Sequence, residues 1–170
     1  MASEIKNLIL WRHAEAELAD IALSVEDDMA RELTSKGKHQ AKLMARWVQK
    51  HQPKNLMLIS SPAVRAFQTA EALKYNINIH PSLKSGATLQ QVLTALADTE
   101  FPQNLLIVGH QPWLGALAAH LTGCSGADIN IKKGAIWWLR QSSVNSSFEN
   151  RALALASYSV FTVQTPSLMR

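Results

Sequence analysis

Short apolar runs alternate with longer stretches of helical periodicity along most of this chain. Three runs are fully apolar, at residues 8–11, 56–59 and 105–108. Each run is followed by polar or turn-forming residues and then by a segment whose apolar positions recur at helical spacing. Strands without polar alternation are typical of a sheet covered by helices on both faces. The pattern therefore predicts an α/β fold with a layered arrangement.

The remaining elements can be placed around these three strands. The predicted helices cover residues 37–50, 62–73, 89–97 and 112–121, and a short additional strand covers residues 77–80. Thr34 or Ser35 is predicted to cap the first helix, and Pro62 to lie at the start of the second. Two late strands, at residues 131–140 and 151–163, are separated by a polar, turn-forming stretch. We expect them to form an antiparallel hairpin at one edge of the sheet.

Length and composition exclude several classes of protein. The chain has 170 residues, so we expect a single domain over residues 1–170. Hydrophobic residues make up 47% of the chain and charged residues 18%, which excludes a mainly disordered protein. Cys124 is the one cysteine, so a disulfide scaffold is excluded. A lone thiol suits a reducing compartment, and we expect the protein to be cytoplasmic.

The distribution of charge and of apolar residues also limits the partners. No apolar stretch approaches the roughly 20 residues that cross a membrane. The 17 basic and 13 acidic residues give a net charge of +4, but the basic residues are scattered and not interleaved with aromatic residues. Nucleic-acid binding is therefore not predicted, whereas an anionic substrate suits a mildly positive chain. Without evidence of association, we expect a monomer.

Polar side chains follow three of the predicted strands at the points where the strands end. Arg12 and His13 come after the first strand, Arg65 lies one turn into the helix after the second, and His110 follows the fourth. Each residue alone has an ordinary structural interpretation. Because sites in open α/β sheets form beyond the carboxyl ends of the strands, we expect the four to lie together. They predict an anion pocket that contains a nucleophile.

The local sequences around these residues resemble four motifs of the histidine phosphatase superfamily, in the family's order. They are LWRHAE at residues 10–15, LTSKGKHQA at 33–41, SSPAVRAFQTAE at 60–71 and VGHQP at 108–112. The resemblance covers residues 8–122, and the short chain is similar in length to SixA-type phosphohistidine phosphatases. It implies a phosphoglycerate mutase-like fold, which is a three-layer α/β/α sandwich around a mixed, mainly parallel sheet. It also implies that His13 becomes phosphorylated and that Arg12, Arg65 and His110 bind the phosphoryl group.

These residue types suit phosphoryl transfer. The reaction depends mostly on positioning and on stabilising charge on the phosphoryl oxygens, which the forked donors of arginine match. We expect Arg12 and Arg65 to oppose protonation of His13, a backbone carbonyl to orient its ring, and His110 to act as a cationic donor. No metal or other cofactor is expected, because no cluster of ligand residues shows a suitable spacing.

The general acid is the part of the family pattern that this chain lacks. Many relatives carry a carboxylate after the third strand, but residues 80–88 contain none. Glu15, Glu17 and Asp20 are possible substitutes, although a solvated acidic loop is their more ordinary interpretation. A phosphoramidate has a nitrogen leaving group that takes a proton readily. The sequence therefore favours phosphohistidine on a partner protein, such as a phosphorelay component, over a phosphate ester.

Two alternatives stay open. The chain could hydrolyse small phosphate esters, or it could be a module that binds phosphate ion or phosphohistidine without turnover. The intact His13 argues against a pure binding module.

Several other residues are predicted to have structural roles: Ser61 as a helix cap, Trp113 in the core, Gln68 and Thr69 in helix packing, and His39, His51, His80 and His120 on surfaces or at element ends.

Overall fold

The computed structural model describes residues 5–18, 24–124, 129–142 and 157–169. Within these ranges the chain forms six strands: β1 (Asn7–Arg12), β2 (Met57–Ser60), β3 (Ile77–Ile79), β4 (Asn104–Gly109), β5 (Ile136–Gln141) and β6 (Tyr158–Gln164). The same ranges contain five α-helices: α1 (Val25–Ala30), α2 (Ser35–His51), α3 (Val64–Glu71), α4 (Leu89–Ala97) and α5 (Trp113–Thr122). Short 3₁₀ turns cover Pro81–Leu83 and Pro166–Leu168.

The six strands form one sheet in the order β3-β2-β4-β1-β5-β6. Strands β3, β2, β4 and β1 pair in parallel, whereas β5 pairs antiparallel with both β1 and β6. The predicted mixed, mainly parallel sheet is thus confirmed, with the antiparallel hairpin at one edge. In the register of β1 and β4, Arg12 lies opposite Gly109, so the two chain segments leave the sheet side by side.

Helices cover both faces of the sheet, because alternate residues of its strands point to opposite sides. Leu8 and Leu10 of β1 pack into one hydrophobic core with residues of α4 and α5. Ile9 and Trp11 pack into a second core with residues of α2 and α3. The three predicted layers are confirmed. In the ranges that the structure describes, no helix is both long enough and apolar enough to cross a membrane.

Two predicted boundaries are wrong in ways that affect the site. The predicted strand 131–140 begins only at Ile136. The preceding residues form a turn instead, in which the Gly134 amide donates to the carbonyl oxygens of Arg12 and His13. Helix α3 begins at Val64 rather than at Pro62, with Ala63 as its N-cap. Of the predicted strand 151–163, residues 151–156 lie outside the described part of the chain, as do residues 143–150 of the predicted turn.

The loop after β1 is held by residues at the start of α2. The Thr34 side chain caps α2 by accepting from the Gly37 amide at 2.9 Å, which confirms one of the two predicted caps. The Thr34 amide donates to the Glu15 carbonyl at 3.1 Å, and the Gln40 side chain accepts from the Glu15 amide at 3.0 Å. These contacts explain why threonine, glycine and glutamine stand at this spacing.

Replacement of Gly37 by alanine tests this close approach. A Cβ atom at Gly37 would lie 1.9 Å from the Glu15 carbonyl oxygen, so α2 and the loop would have to separate. We expect Gly37→Ala to lower the free energy of unfolding by about 1–3 kcal/mol, measured by urea denaturation. Gly86→Ala is the matched control, because a Cβ atom at Gly86 would meet no described heavy atom within 4 Å. Equal stability of the two variants would contradict the packing argument.

Candidate active site

The ends of β2, β4 and β1 bring the candidate residues together through the backbone. The His13 amide donates to the Gly109 carbonyl at 3.0 Å, and the Ser61 amide donates to the Val108 carbonyl at 3.0 Å. The imidazole rings of His13 and His110 consequently lie 5.1 Å apart between centroids. Residues that are far apart in the sequence thus converge at the carboxyl edge of the parallel strands, as predicted.

His13 is buried and held in one tautomer. Only 7% of the His13 surface is exposed to solvent. Its Nδ1 lies 2.7 Å from the Ala14 carbonyl oxygen. Because a carbonyl oxygen only accepts hydrogen bonds, Nδ1 carries the ring hydrogen and Nε2 carries a lone pair. The pKa of His13 is lowered to about 3, mainly by burial and in addition by the positive charges of Arg65, Arg12 and Lys133, whereas the hydrogen bond to the Ala14 carbonyl acts in the opposite direction. The expected opposition to protonation is present, but burial is its largest cause.

His110 is buried more completely, at 2% exposure. Its Nε2 lies 2.7 Å from the Ser61 hydroxyl, and its Nδ1 has no hydrogen-bond partner among the described residues. Burial, followed by the charges of the neighbouring histidine and arginines, lowers the pKa of His110 well below its usual value. Burial thus favours the neutral form of His110, which differs from the expected cationic donor.

Burial of these two histidines makes the stability of the fold sensitive to acid. Below pH 6.5, which is the ordinary pKa of histidine, the unfolded chain binds protons that the folded protein does not bind. The free energy of unfolding therefore falls as the pH decreases from about 6.5 towards the folded pKa. For His13, the loss between about pH 6.5 and pH 4 is about 3 kcal/mol, because one pKa unit corresponds to about 1.4 kcal/mol.

Urea denaturation at about pH 7, 5 and 4 measures this loss. We expect the wild-type protein to lose stability continuously over this range and a His13→Gln variant to lose less of it. Folding lowers the pKa of the Asp28 carboxyl group from 3.8 to about 2, so its ionised form stabilises the fold at pH values above 3.8. This contribution to stability is lost only as the pH falls from 3.8 towards 2. Parallel pH dependences of the two proteins would show that His13 does not cause the loss.

The two arginines present unpaired donors to the same region. Arg12 uses Nη1 to donate to the Ile131 carbonyl at 2.7 Å, and Arg65 uses Nη2 to donate to the Asp28 carboxylate at 3.0 Å. Among the described residues, five buried side-chain N or O atoms have no hydrogen-bond partner, and three of these belong to the candidate site: Arg12 Nε, Arg65 Nε and His110 Nδ1. A tetrahedral oxyanion would satisfy such a set of donors.

Asp28 is a site residue that sequence reasoning missed. Its carboxylate accepts from Arg65, from the Ser85 hydroxyl at 3.2 Å and from Arg31 Nε at 3.0 Å, and its carbonyl oxygen accepts from Arg65 Nη1. Burial alone would raise the pKa of Asp28, but the hydrogen bonds from Arg31 and Arg65 outweigh it and lower the pKa to about 2. Helix α1 therefore covers Arg65, which is only 2% exposed.

No sequence signal singled out Asp28 from its neighbours. It is one of three consecutive acidic residues in the first turn of α1, and only the fold turns one of them towards Arg65. Lys133 is a second residue whose position was not predicted, although the sequence shows a basic pair there. Its charge reaches both His13 and Glu15.

Glu15 is the one of the three candidate acids whose surroundings favour the ionised form. Glu15 is bound by Lys36 at 2.8 Å and by the Thr34 hydroxyl at 3.2 Å, and the hydrogen bond from Lys36 lowers the pKa of Glu15. Glu17 is exposed, and its backbone amide donates to the Glu32 carbonyl at 2.9 Å. Asp20 lies outside the described residues. The described part of the site thus contains carboxylates that stay ionised near pH 7.

Residues that were assigned structural roles also hold the site in place. Thr69 accepts from the Ala14 amide at 3.0 Å and donates to the Arg65 carbonyl at 2.7 Å. Gln68 accepts from the Leu33 amide at 2.7 Å. The side chain of Ser61 accepts from the Ala63 amide at 3.2 Å in the turn before α3 and also contacts His110. Because Ala63 is the N-cap of α3 and no described side chain caps that helix, the prediction of Ser61 as a helix cap is wrong. For Gln68 and Thr69, helix packing alone was too narrow a prediction.

Trp113 confirms its predicted place in the core. It is buried, its ring centroid lies 6.5 Å from that of His110, and its Nε1 donates to the Lys84 carbonyl.

No group of three or more potential metal ligands occurs within the described ranges. His51 bonds to the Trp47 carbonyl on α2, and the structure does not bring it to the site.

Three comparisons place this arrangement among known proteins. The family model of the histidine phosphatase superfamily (branch 1) matches residues 8–88. An uncharacterised protein of Picosynechococcus sp. is 32% identical over 161 residues, which cover 88% of this chain and 95% of the relative. Phosphohistidine phosphatase SixA of Escherichia coli (strain K12) is 29% identical over 131 residues, which cover 70% of this chain and 74% of the relative.

The fold is also that of a solved relative. The structure of the protein histidine phosphatase SixA complexed with tungstate is similar with a TM-score of 0.75 at 20% identity, covering 96% of this chain and 99% of the other. The similarity extends well beyond the residues matched by the family model, and it includes the antiparallel edge of the sheet. Sequence, fold and the order of the motifs agree, and the chain belongs to the histidine phosphatase superfamily.

Proposed function

We propose that this chain is a metal-independent phosphatase that removes the phosphoryl group from phosphohistidine on a partner protein. The observation that carries the proposal is the position of His13. Its Nε2 has a free lone pair near neutral pH, the charges of Arg12 and Arg65 reach its ring, the ring of His110 lies 5.1 Å away between centroids, and each of these three neighbours has a buried nitrogen without a described partner. This combination supplies a nucleophile and charge stabilisation for phosphoryl transfer in one buried pocket.

In the first step, Nε2 of His13 attacks the phosphorus atom and the bond between phosphorus and the leaving nitrogen breaks. The two arginines stabilise the charge on the phosphoryl oxygens. In this mechanism the Ser61 hydroxyl, which accepts from the Ala63 amide, donates its hydrogen to His110 Nε2 at 2.7 Å. Nδ1 of a neutral His110 then carries the ring hydrogen and donates to a phosphoryl oxygen.

In the second step, water attacks the phosphorus atom of phosphorylated His13. The ring retains its hydrogen on Nδ1, held by the Ala14 carbonyl, so phosphorylation at Nε2 makes the ring cationic. A cationic ring leaves as neutral imidazole without receiving a proton. The protons of the attacking water go to the released phosphate and to solvent. The cycle thus restores His13 in its original tautomer.

The ionised state of the two described carboxylates with shifted pKa values, Glu15 and Asp28, favours phosphohistidine as the substrate. A phosphohistidine that is protonated on its second ring nitrogen likewise leaves as neutral imidazole, so the first step needs no acid from the protein. An alkyl phosphate ester needs one, and the carboxylates of Glu15 and Asp28 are both ionised at neutral pH. The name of the Escherichia coli relative, and the tungstate oxyanion in the SixA structure, support the same proposal.

Phosphate release from two substrates tests the proposal. We expect wild-type protein to release phosphate from a phosphohistidine-bearing protein in the presence of a chelator and to act slowly on p-nitrophenyl phosphate. Release from the ester alone would favour the small-ester alternative. Binding of phosphate, seen in tryptophan fluorescence, without release from either substrate would favour the binding module. A monomeric state and a cytoplasmic location are further parts of the proposal that this assay leaves to separate measurements.

A further inference from the structure

A groove with a basic lining runs between α2 and α3, outside the candidate active site. Its volume is about 810 Å³. The residues that line it are Lys38, His39, Ala41, Lys42, Arg46, Gln49, Gln68, Glu71, Ala72 and Lys74. Small side chains and amides thus lie among long cationic side chains. The groove has no role in the chemistry described above, and its composition indicates a site for an anionic partner.

The formal net charge of the side chains that line the groove is nearly as large as that of the whole chain. Four cationic side chains and one carboxylate line it, which gives a formal net charge of +3 against +4 for the whole chain. Lys42, Arg46 and Lys74 make no ion pair with any described residue, and Lys38 approaches Glu32 only at 4.0 Å. The positive charge is therefore left available to a ligand.

The spacing of these cations does not help the fold. Lys38, Lys42 and Arg46 follow one another at intervals of four residues on α2, so they form one row on the helix surface. Like charges at this spacing destabilise a helix by a few tenths of a kcal/mol per pair. A row of exposed cations beside a groove thus opposes helix stability and concentrates positive potential along the path a ligand would follow.

The groove begins at the edge of the sheet that carries the candidate active site. Helix α3 follows the parallel strand β2, and α2 begins beside the loop after β1, where the Thr34 amide donates to the Glu15 carbonyl. Gln68, one turn after Arg65, lines the groove and also accepts from the Leu33 amide. The start of the groove and the candidate site therefore lie at the same end of the sheet, so one partner protein can contact both.

We infer that this groove binds an acidic segment of the phosphorylated partner protein while the phosphohistidine occupies the active site. The inference rests on the proposed function. Carboxylates of such a segment complement the row of lysine and arginine side chains. The groove lining contains no tryptophan, tyrosine or phenylalanine on which bases would stack, so an acidic protein segment fits better than a nucleic acid.

Charge reversal in the groove tests the inference with defined probes. The probes are two phosphohistidine peptides, one with a flanking run of Asp and Glu and one with Asn and Gln in their place. We expect wild-type protein to show a kcat/KM about 10-fold higher for the acidic peptide, mainly through a lower KM, and to lose the difference at high salt. The combined variant Lys42→Glu, Arg46→Glu and Lys74→Glu should lose the preference at low salt as well.

A matched variant controls for total charge. Lys6→Glu, Lys54→Glu and Arg140→Glu change the net charge equally, and these exposed residues lie outside the groove and outside α2 and α3. We expect this variant to keep the preference for the acidic peptide, and both variants to act on p-nitrophenyl phosphate at the wild-type rate. Equal loss of preference in the two variants would overturn the groove assignment in favour of a general charge effect.

The remaining outcomes separate this inference from the proposed function. If wild-type protein releases phosphate from both peptides at equal rates, the groove assignment alone is overturned. If it releases phosphate from neither peptide but acts on the ester, the proposed function fails and the groove assignment fails with it. Competition by a single-stranded oligonucleotide, without a preference for the acidic peptide, would assign the groove to nucleic acid instead.

Discussion

Replacing His13 by alanine is expected to abolish phosphate release and to prevent phosphorylation of the protein. The variant lacks the Nε2 lone pair, and none of the neighbouring groups replaces it: Arg12 and Arg65 are cationic, and Nε2 of His110 is engaged with Ser61. Loss of a catalytic nucleophile lowers the rate by at least about 10³-fold. The measurement is transfer of labelled phosphate from a phosphohistidine peptide to the protein, with detection under alkaline conditions that preserve phosphohistidine.

His51→Ala serves as the control for this experiment. His51 lies at the C-terminus of α2, where its ring stacks on Trp47 at 4.9 Å between centroids, away from the site. We expect this variant to keep the wild-type rate and the phosphorylated intermediate. Label that still appears on the His13→Ala protein would mean that another residue is the nucleophile.

Replacing Arg65 by lysine is expected to lower kcat/KM by about 10²–10³-fold although the positive charge is retained. The guanidinium of Arg65 has two tasks in the structure. Nη1 and Nη2 bind the carbonyl and carboxylate oxygens of Asp28, while Nε has no described partner and remains for the phosphoryl group. A lysine has one ammonium group on a flexible chain and cannot perform both tasks.

Steady-state kinetics on the acidic phosphohistidine peptide measure this effect, and urea denaturation confirms that the variant is folded. An Arg65→Lys variant with at least a third of the wild-type kcat/KM would show that charge alone is sufficient.

Asp28 provides an independent check, because Asp28→Ala removes the group that orients Arg65. We expect a loss of about 10-fold, mainly in kcat, with partial recovery in Asp28→Asn, which keeps an acceptor for Nη2. Glu26→Gln, on the same helix, is the control and should act like the wild type.

The regular elements could be predicted from local patterns with small errors. The predicted helix at residues 89–97 matches α4, and the three apolar runs match β1, β2 and β4 within one or two residues. The errors occur where tertiary contacts compete with local preference. The predicted strand included residues 131–135, which are Ile-Lys-Lys-Gly-Ala, but Gly134 and Ile131 bond to Arg12 and His13 instead, so β5 starts only at Ile136.

The candidate site likewise contains residues that could be predicted from local sequence and features that depend on tertiary contacts. The residues proposed to carry the chemistry stand at strand ends and in recognisable motifs, so Arg12, His13, Arg65 and His110 could be chosen as candidates without a structure. Asp28 could not be identified, because an acidic helix start has the same composition whether it faces solvent or an arginine. The effect of burial on the pKa of His110 could not be predicted either, since the sequence does not report how deeply a side chain is buried.

The amino-acid sequence by itself determined the order of strands and helices, the family, and the four residues that converge at the edge of the sheet. These properties depend on hydrophobic periodicity and on residue types at fixed spacing, which are local in the chain. Only the tertiary structure decided the protonation of the two histidines, the pairing of Arg65 with Asp28, and the position of the basic groove. Desolvation and charge interactions depend on distances between residues that the chain brings together from separate segments. Those distances exist only once the three layers have packed.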